Sequence, residues 1–355
     1  MSRAIADGGR PRARLVLRGS AISARVDVRV ALTCAALLAF ALAVFSVNLA
    51  YGEFSIPVGD VIATLAGSGP AGADFIVLEL RLPRALVAAL AGAALALSGT
   101  ILQTLVRNPL ASPDIIGITT GASFAGVSVF ILGASTVLVP FAAFAGALVA
   151  ATLVYVLAWR GGLSPYRFVL VGIGIQCVGL AGIYFMLIRG QIEVVADAYV
   201  WLVGSLNGRT FADVWPLLAG VAALLPVVAA LGRSIDALAL GEEAARGLGV
   251  RVERARLALV VTAAALAAVA VAAAGPIGFV AFVAPHIARR LTAAPGAAVL
   301  PAAALCGAAL VLTADLAGRF VLAPDELPVG IVSSILGAPF FLYLLYRSNR
   351  VRAVT

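Results

Sequence analysis

Ten apolar runs, most of them near the length of a bilayer-crossing helix, follow one another along this chain. They lie at about 28–50, 83–106, 114–133, 137–159, 167–188, 213–232, 257–274, 278–291, 296–317 and 329–346. A spanning helix needs roughly 20 apolar residues. In lipid only a helix or a closed barrel can satisfy its own backbone. The runs are continuous rather than alternating, which argues against an outer-membrane barrel. Charged residues are 12% of the chain, against about 25% in a soluble domain. The pattern predicts an all-α polytopic membrane protein with about ten transmembrane helices. The runs at 114–133 and 278–291 are short or broken by Gly and Pro, so full crossing is not expected of them.

The formal net charge is +8, and every one of the 25 basic residues is Arg. Scattered between apolar runs, that charge reads as topology and not as nucleic-acid binding. With the amino terminus inside, the inner loops collect Arg107, Arg160, Arg167, Arg233, Arg246, Arg251, Arg254, Arg256, Arg289 and Arg290, and then Arg347, Arg350 and Arg352. The outer loops collect acids: Glu53, Asp60, Asp74, Glu79, Glu193, Asp197, Asp213, Asp315, Asp325 and Glu326. The expectation is an even number of crossings with both termini cytoplasmic. Residues 1–27 are expected to be a flexible cytoplasmic tail, 28–346 the membrane domain, and 347–355 a second cytoplasmic tail. The run at 28–50 is too long for a signal-peptide core, so a retained first helix is expected.

The apolar interior holds almost no charge. Asn48, Gln103, Gln176 and small hydroxyls are the polar groups available at depth. Ion-coupled carriers usually keep ionisable groups there, so energy is expected to enter from elsewhere. Cys34, Cys177 and Cys306 lie inside apolar runs and read as packing residues. The single histidine, His286, cannot build a multi-histidine metal site, and no metal site is expected. Small residues four apart, Gly92 with Ala96 and Gly117 with Gly121, suit close helix packing. The glycines at 172, 174, 179 and 182 suit either packing or a pathway wall. The inner loop 233–256 contains Gly241-Glu242-Glu243-Ala244-Ala245-Arg246-Gly247-Leu248-Gly249, which fits a short helix ended by Gly249. Such a helix could dock a partner or merely connect two spans.

Several motifs, in order, resemble the FecCD family, the permease subunits of ATP-binding-cassette importers for iron–siderophore complexes, haem and vitamin B12. They are Arg81-Leu82-Pro83-Arg84; Ser98-Gly99 with Gln103; Asn108-Pro109-Leu110-Ala111 with Pro113; Gly117 and Gly121-Ala122; and Trp201 with Gly204-Ser205-Leu206. Leu240-Gly241, Ala244-Ala245 and Leu248-Gly249 follow, then Gly275-Pro276-Ile277-Gly278-Phe279 with Pro285-His286-Ile287-Ala288-Arg289. Glu326-Leu327-Pro328-Val329-Gly330 and Gly337-Ala338-Pro339-Phe340 close the series. The resemblance covers about residues 30–346. It implies a dimer of permeases, homomeric or of two related chains, with the pathway between them. It also implies two cytoplasmic ATPases and an external substrate-binding protein, in a bacterial inner membrane. The chain has no Lys and no G-x-x-x-x-G-K-[ST] loop, so ATP and Mg²⁺ would belong to the ATPase, and this chain would be neither an enzyme nor the holder of a cofactor.

The resemblance carries three roles onto named residues. The segment 234–249 would couple to the ATPase through Gly241, Glu242, Glu243, Ala244, Ala245 and Gly247. Arg81, Arg84 and Arg319 would meet carboxylates of the binding protein, for which the planar guanidinium is suited. The alternative for Arg319 is an internal pair with Asp315, one turn away. Gly172, Gly174, Gln176, Ser333 and Ser334 would line the pathway. His286 would be a helix-end residue and not a ligand. An iron–siderophore or related chelate is the expected cargo, with haem and cobalamin as competitors. An ion-coupled secondary transporter is the alternative. An intramembrane enzyme would need a buried catalytic set that the residues do not supply.

Overall fold

A chain whose backbone amides meet lipid must bond them within its own helices, and helices account for nearly all of the structure. The computed structural model describes residues 14–18, 23–52, 54–70, 72–322 and 325–352. Arg3, Arg10, Arg12 and Glu53 therefore lie outside the described residues. Within the segment expected to be a tail, β1 (Arg14–Arg18) and β2 (Ser23–Asp27) pair as an antiparallel hairpin.

The helices follow in order. α1 is Val28–Ala50 and α2 is the short Val58–Leu65. A π-helical stretch, Phe75–Arg81, runs directly into α3, Leu82–Val106. Then come α4 (Ile118–Ile131), α5 (Val139–Ala158), α6 (Pro165–Arg189) and α7 (Ile192–Leu202). α8 is Phe211–Leu240 and α9 is Glu242–Gly247. The series ends with α10 (Val252–Ala274), α11 (Val280–Thr292), α12 (Leu300–Phe320) and α13 (Val329–Arg352).

Among the described residues seven helices are long and apolar enough to cross a membrane: those built on α1, α3, α5, α6, α8, α10 and α12. α4, α11 and α13 supply the remaining three apolar runs, so the ten predicted segments are all helical. α4 and α11, of 14 and 13 residues, are the two runs expected to fall short.

α3 is the axis of the bundle. It packs against α8, α10, α11 and α12, and most of its residues from Ala85 to Val106 are buried. Close approach is made possible by small residues. A Cβ on Gly99 would stand 1.7 Å from the carbonyl oxygen of Ala281 on α11. α4 and α5 meet in the same way, since a Cβ on Gly121 would lie 2.7 Å from the Gly146 oxygen. α1 lies at the periphery, with Leu32, Leu38, Phe40 and Leu42 exposed.

Two differences from the predicted boundaries matter for the site. α8 does not stop at 232 but continues through Arg233 and Asp236 to Leu240, because Gly241 (φ 126°) is the first residue that leaves the helix. α7, an eleven-residue helix, occupies a stretch with no predicted element.

Candidate translocation site and coupling surface

Three interruptions of the backbone meet at one place. The first is the turn 107–117 between α3 and α4. Arg107 turns left-handed (φ 52°), Asn108 Oδ1 accepts the Leu110 N–H at 2.9 Å, and Gly117 (φ 82°) starts α4 against α6. The second is the break 275–279 between α10 and α11, where Gly275 and Phe279 both have positive φ. The third is the start of α13, where the Gly330 N–H donates to the Gly204 oxygen at 3.1 Å. The fit is tight: a Cβ on Gly330 would lie 1.9 Å from Val203 O, and one on Gly204 would lie 2.3 Å from Pro276 O. Motifs scattered over some 220 residues of sequence thus abut in space.

They border an open cavity of about 670 Å³. Its wall takes Asp114, Thr119, Thr120 and Ser123 from the α4 region, Gln176, Leu180 and Tyr184 from α6, and Gly330, Ile331 and Ser334 from α13, with Pro276 and Gly278 at the break. Asp114 Oδ1 accepts the Thr119 hydroxyl at 2.7 Å, and the carboxylate also takes the Phe279 N–H at the start of α11. The cavity therefore has three helix starts around it, one already capped by a carboxylate. Helix N-termini carry partial positive charge.

Of the five residues expected to line a pathway, Gln176 and Ser334 lie on the wall of this cavity. Gly172 does not: it is buried, and a Cβ there would lie 2.8 Å from the Ile116 Cα, so its role is close packing. Gly174 is exposed and lies outside the cavity wall. Ser333 is 1% exposed and donates its hydroxyl to Gly278 O at 3.0 Å and Gly330 O at 3.1 Å, so it braces the wall from behind. Asp114 is a residue that sequence reasoning passed over. Its position directly after Pro113, at the start of an apolar run, was the available signal.

At the end of the bundle where α3 begins, the three predicted docking arginines are engaged internally. Arg81 Nη1 donates to the oxygens of Leu49 (2.8 Å) and Ala50 (3.0 Å), and Nη2 to Phe54 O, closing the C-terminus of α1. Arg84 grips Asp315 with Nε (3.0 Å) and Nη2 (2.8 Å), and reaches Glu326 with Nη1 at 2.8 Å. Arg319 donates to Asn48 Oδ1 at 2.9 Å and pairs with Asp315. The Arg319–Asp315 pair is the arrangement the sequence offered as the alternative. In the α7–α8 loop, burial pushes the Arg209 guanidinium below its ordinary value, opposed by Asp213, which it meets at 3.4 Å.

At the opposite end α9 projects from the α8–α10 turn. Ala245 is fully buried beneath it, whereas Glu243, Ala244, Arg246, Gly247 and Leu248 are exposed, Leu248 by 65%. Glu242 is turned inward to Arg246 (2.8 Å) and Arg256 (3.1 Å). Of the predicted coupling set, Glu243, Ala244 and Gly247 present a surface; Gly241, Glu242 and Ala245 hold that surface in place. Arg107 Nη2 donates to Leu238 O at 3.1 Å, tying the α3–α4 turn to the end of α8. His286 stacks on Phe282 and meets Phe340 edge-on.

The FecCD transport family matches residues 37–347. The chain is 43% identical over 338 residues to the achromobactin transport system permease protein CbrC of Dickeya dadantii, covering 94% of this chain and 97% of that one. Two Bacillus subtilis chains described as Fe(3+)-citrate import system permease proteins also match. YfmE is 41% identical over 87% of this chain and 93% of its own, and YfmD is 35% identical over 86% and 91%. Among solved structures, an inward-facing conformation of a metal-chelate type ABC transporter matches with TM-score 0.79 and 27% identity, covering 88% of this chain and 98% of that one.

Proposed function

Because the chain belongs to the FecCD transport family, we propose that it is the membrane-spanning permease subunit of an ATP-driven importer and lines one side of the route taken by an iron–siderophore or related metal chelate. The observation that supports this best is the cavity at the meeting of three backbone breaks, where Gln176 and Ser334 of α6 and α13 face Asp114 and Thr119 of the α4 start. Discontinuous helices around a central cavity are the arrangement by which transporters place polar backbone at depth. Among the chelates, an anionic ferric complex of the citrate or siderophore kind is the proposed cargo. The α4 and α13 starts offer it partial positive charge, and the relatives CbrC and YfmE are described as permeases for achromobactin and Fe(3+)-citrate.

The proposed partner across the pathway is a second, related permease and not another copy. Two distinct chains, YfmE and YfmD, carry the same system description in one organism. The ATPase, which holds ATP and Mg²⁺ in this scheme, meets the exposed Glu243, Ala244, Gly247 and Leu248 of the α9 region. Both termini then lie on the cytoplasmic side with α9, in the bacterial inner membrane. The external binding protein meets the opposite end. There Arg84, held by Asp315 and by Glu326 with its side chain 35% exposed, is the arginine proposed to meet a carboxylate of the binding protein in exchange for Glu326, while Arg81 and Arg319 hold the frame. An ion-coupled carrier is the competing scheme, and family membership weighs against it.

The test is native mass spectrometry of the chain isolated gently from its own membranes, together with uptake of a ferric chelate into proteoliposomes. One copy of this chain with a different permease and two ATPase subunits is expected, and uptake should require ATP and survive collapse of ion gradients. Isolation of the chain without an ATPase, with gradient-dependent uptake, would overturn the proposal.

A further inference from the structure

Charged side chains gather where α9, the start of α10 and the turn between α5 and α6 come together. Arg256 on α10 is 5% exposed. Its Nη2 lies 3.1 Å from Glu242 Oε2 on α9, and its Nη1 lies 3.3 Å from Glu253 Oε1, one turn back on α10. One guanidinium is thus shared between a carboxylate on the projecting helix and a carboxylate on its own helix.

Glu253 is only half used. Its Oε2 is buried and has no hydrogen-bond partner. Its Oε1 lies 3.4 Å from where a Cβ on Gly162 would stand, in the α5–α6 turn. Arg167, in the first turn of α6, reaches the same residue: Nη2 donates to Gly162 O at 3.1 Å. Arg167 Nε is buried and also unpartnered. Glu253 Oε1 and Arg167 Nη2 therefore converge on one glycine, and each side chain keeps a second polar atom, Oε2 and Nε, without a protein partner. Two side chains of opposite charge, anchored beside the same glycine and each with an atom to spare, are placed to pair with one another when either element moves.

The geometry points to Glu253 and Arg167 as positioning residues that carry movement of α9 into the cavity wall. When α9 is displaced, Glu242 draws Arg256 with it, and Glu253 exchanges Arg256 for Arg167. Arg256 keeps one carboxylate, Glu253 keeps one guanidinium, and both orphaned atoms gain partners. The number of ion pairs is unchanged, so the exchange can run in either direction on a small difference in free energy. Its mechanical effect falls on α6, whose first turn is drawn toward α10. Gly172 of α6 is wedged against Ile116, and Gln176 lines the cavity nine residues beyond Arg167. Nine residues of helix span about 13.5 Å, so a shift at Arg167 reaches the wall through one rigid element. The inference rests on the proposal that the α9 surface meets the ATPase.

The experiment uses the full transporter, with its ATPase and binding protein, in proteoliposomes, and reads chelate transported per ATP hydrolysed. Glu253→Gln and Arg167→Gln are each expected to lower that ratio at least fivefold, with ATPase association within twofold of the unmodified complex. The conservative Arg167→Lys should recover at least half of the loss seen with Gln. In a background with Cys34, Cys177 and Cys306 replaced by Ala, the pair Glu253→Cys with Arg167→Cys should be bridged by a short bifunctional thiol reagent at least fivefold faster in the ATP-trapped state than without nucleotide. An unchanged transport ratio in both Gln variants overturns the inference, as does a bridging rate independent of nucleotide. Leu248→Asp separates the two levels. If that variant still binds the ATPase at full strength, the docking surface is wrong, whatever Glu253 does.

Discussion

Arg84 and Asp315 stand 231 residues apart in sequence and form a forked ion pair, with Nε and Nη2 of Arg84 at 3.0 and 2.8 Å from Oδ1. Asp315 is 2% exposed and serves Arg319 as well. Asp315→Ala would leave two buried guanidinium groups short of a counter-charge, a loss of about 3–5 kcal/mol when such a pair is broken from one side. Glu326→Gln removes only the surface arm, with a change of about 0–1 kcal/mol. Thermal unfolding of the two variants in the same detergent should show a large drop in midpoint for the first and little for the second. Equal midpoints would mean that the network is not what holds this end together.

Gly92 and Gly307 bring α3 and α12 into backbone contact. A Cβ on either would lie 2.3 or 2.2 Å from the other's carbonyl oxygen. Gly92→Ala and Gly307→Ala are each expected to destabilise by about 1–3 kcal/mol, as overpacked interiors do. The readout is the yield of monodisperse protein after solubilisation and its unfolding midpoint, and undiminished values for both variants would refute the contact.

Gly172 and Gly174 should behave oppositely although two residues apart. A methyl group at 172 meets Ile116, and at 174 it meets nothing within 4 Å. Gly172→Ala is expected to lower folded yield severalfold and Gly174→Ala to leave it unchanged. A reversed order would place α6 in a different rotation.

Gln176 and Ser334 face the cavity from two helices. Gln176→Leu with Ser334→Ala should raise the apparent KM for chelate uptake several-fold while folded yield stays within twofold. Uptake kinetics identical to those of the unmodified chain would remove these side chains from the cargo route.

Arg107 joins the α3–α4 turn to the Leu238 carbonyl near the end of α8. Arg107 is exposed, so loss of this bond should cost no more than about 1 kcal/mol of stability. Arg107→Ala is expected to leave ATPase association intact but to slow uptake, measured as a lower maximal rate at saturating chelate. A variant with full rate would show that the α8–turn bond carries no load.

The helices were legible because the solvent wrote them: an apolar run of twenty residues has one stable form in lipid, and all ten runs took it. The ends were less legible. α8 runs eight residues beyond 232 because the polar Arg233, Ser234 and Asp236 are tolerated on a helix that has left the apolar layer, and only Gly241 stops it. The site was legible as pieces. Asn108, Gly204, Gly275 and Gly330 stood out as motif residues, and the fold placed their segments around one cavity. Which side chains face that cavity depends on helix rotation, which apolar runs without a polar face do not reveal. Hence, of the residues named from the sequence, Gln176 and Ser334 lie on the cavity wall and Gly172 packs behind it, while Asp114, also on the wall, was passed over. The partners of Arg81 and Arg84 come from α1, α12 and the loop before α13, too distant in sequence for spacing to suggest them. The pair legible in advance, Arg319 with Asp315, is one helical turn long.

Much of the wall between α7 and α13 is main chain: Gly204 against Pro276, and Gly330 against Val203, with no room for a Cβ at either glycine. Main-chain groups are the same whatever residue encodes them, so point mutation cannot redecorate such a surface. If the cavity is the cargo route as proposed, divergence toward a new chelate falls to the rest of the wall, where polar Thr119, Ser123, Gln176 and Ser334 stand among apolar side chains such as Leu180, Ile183 and Ile335. On that reading the cargo would change through those side chains while the main-chain joint between Gly204, Pro276 and Gly330 stays as it was.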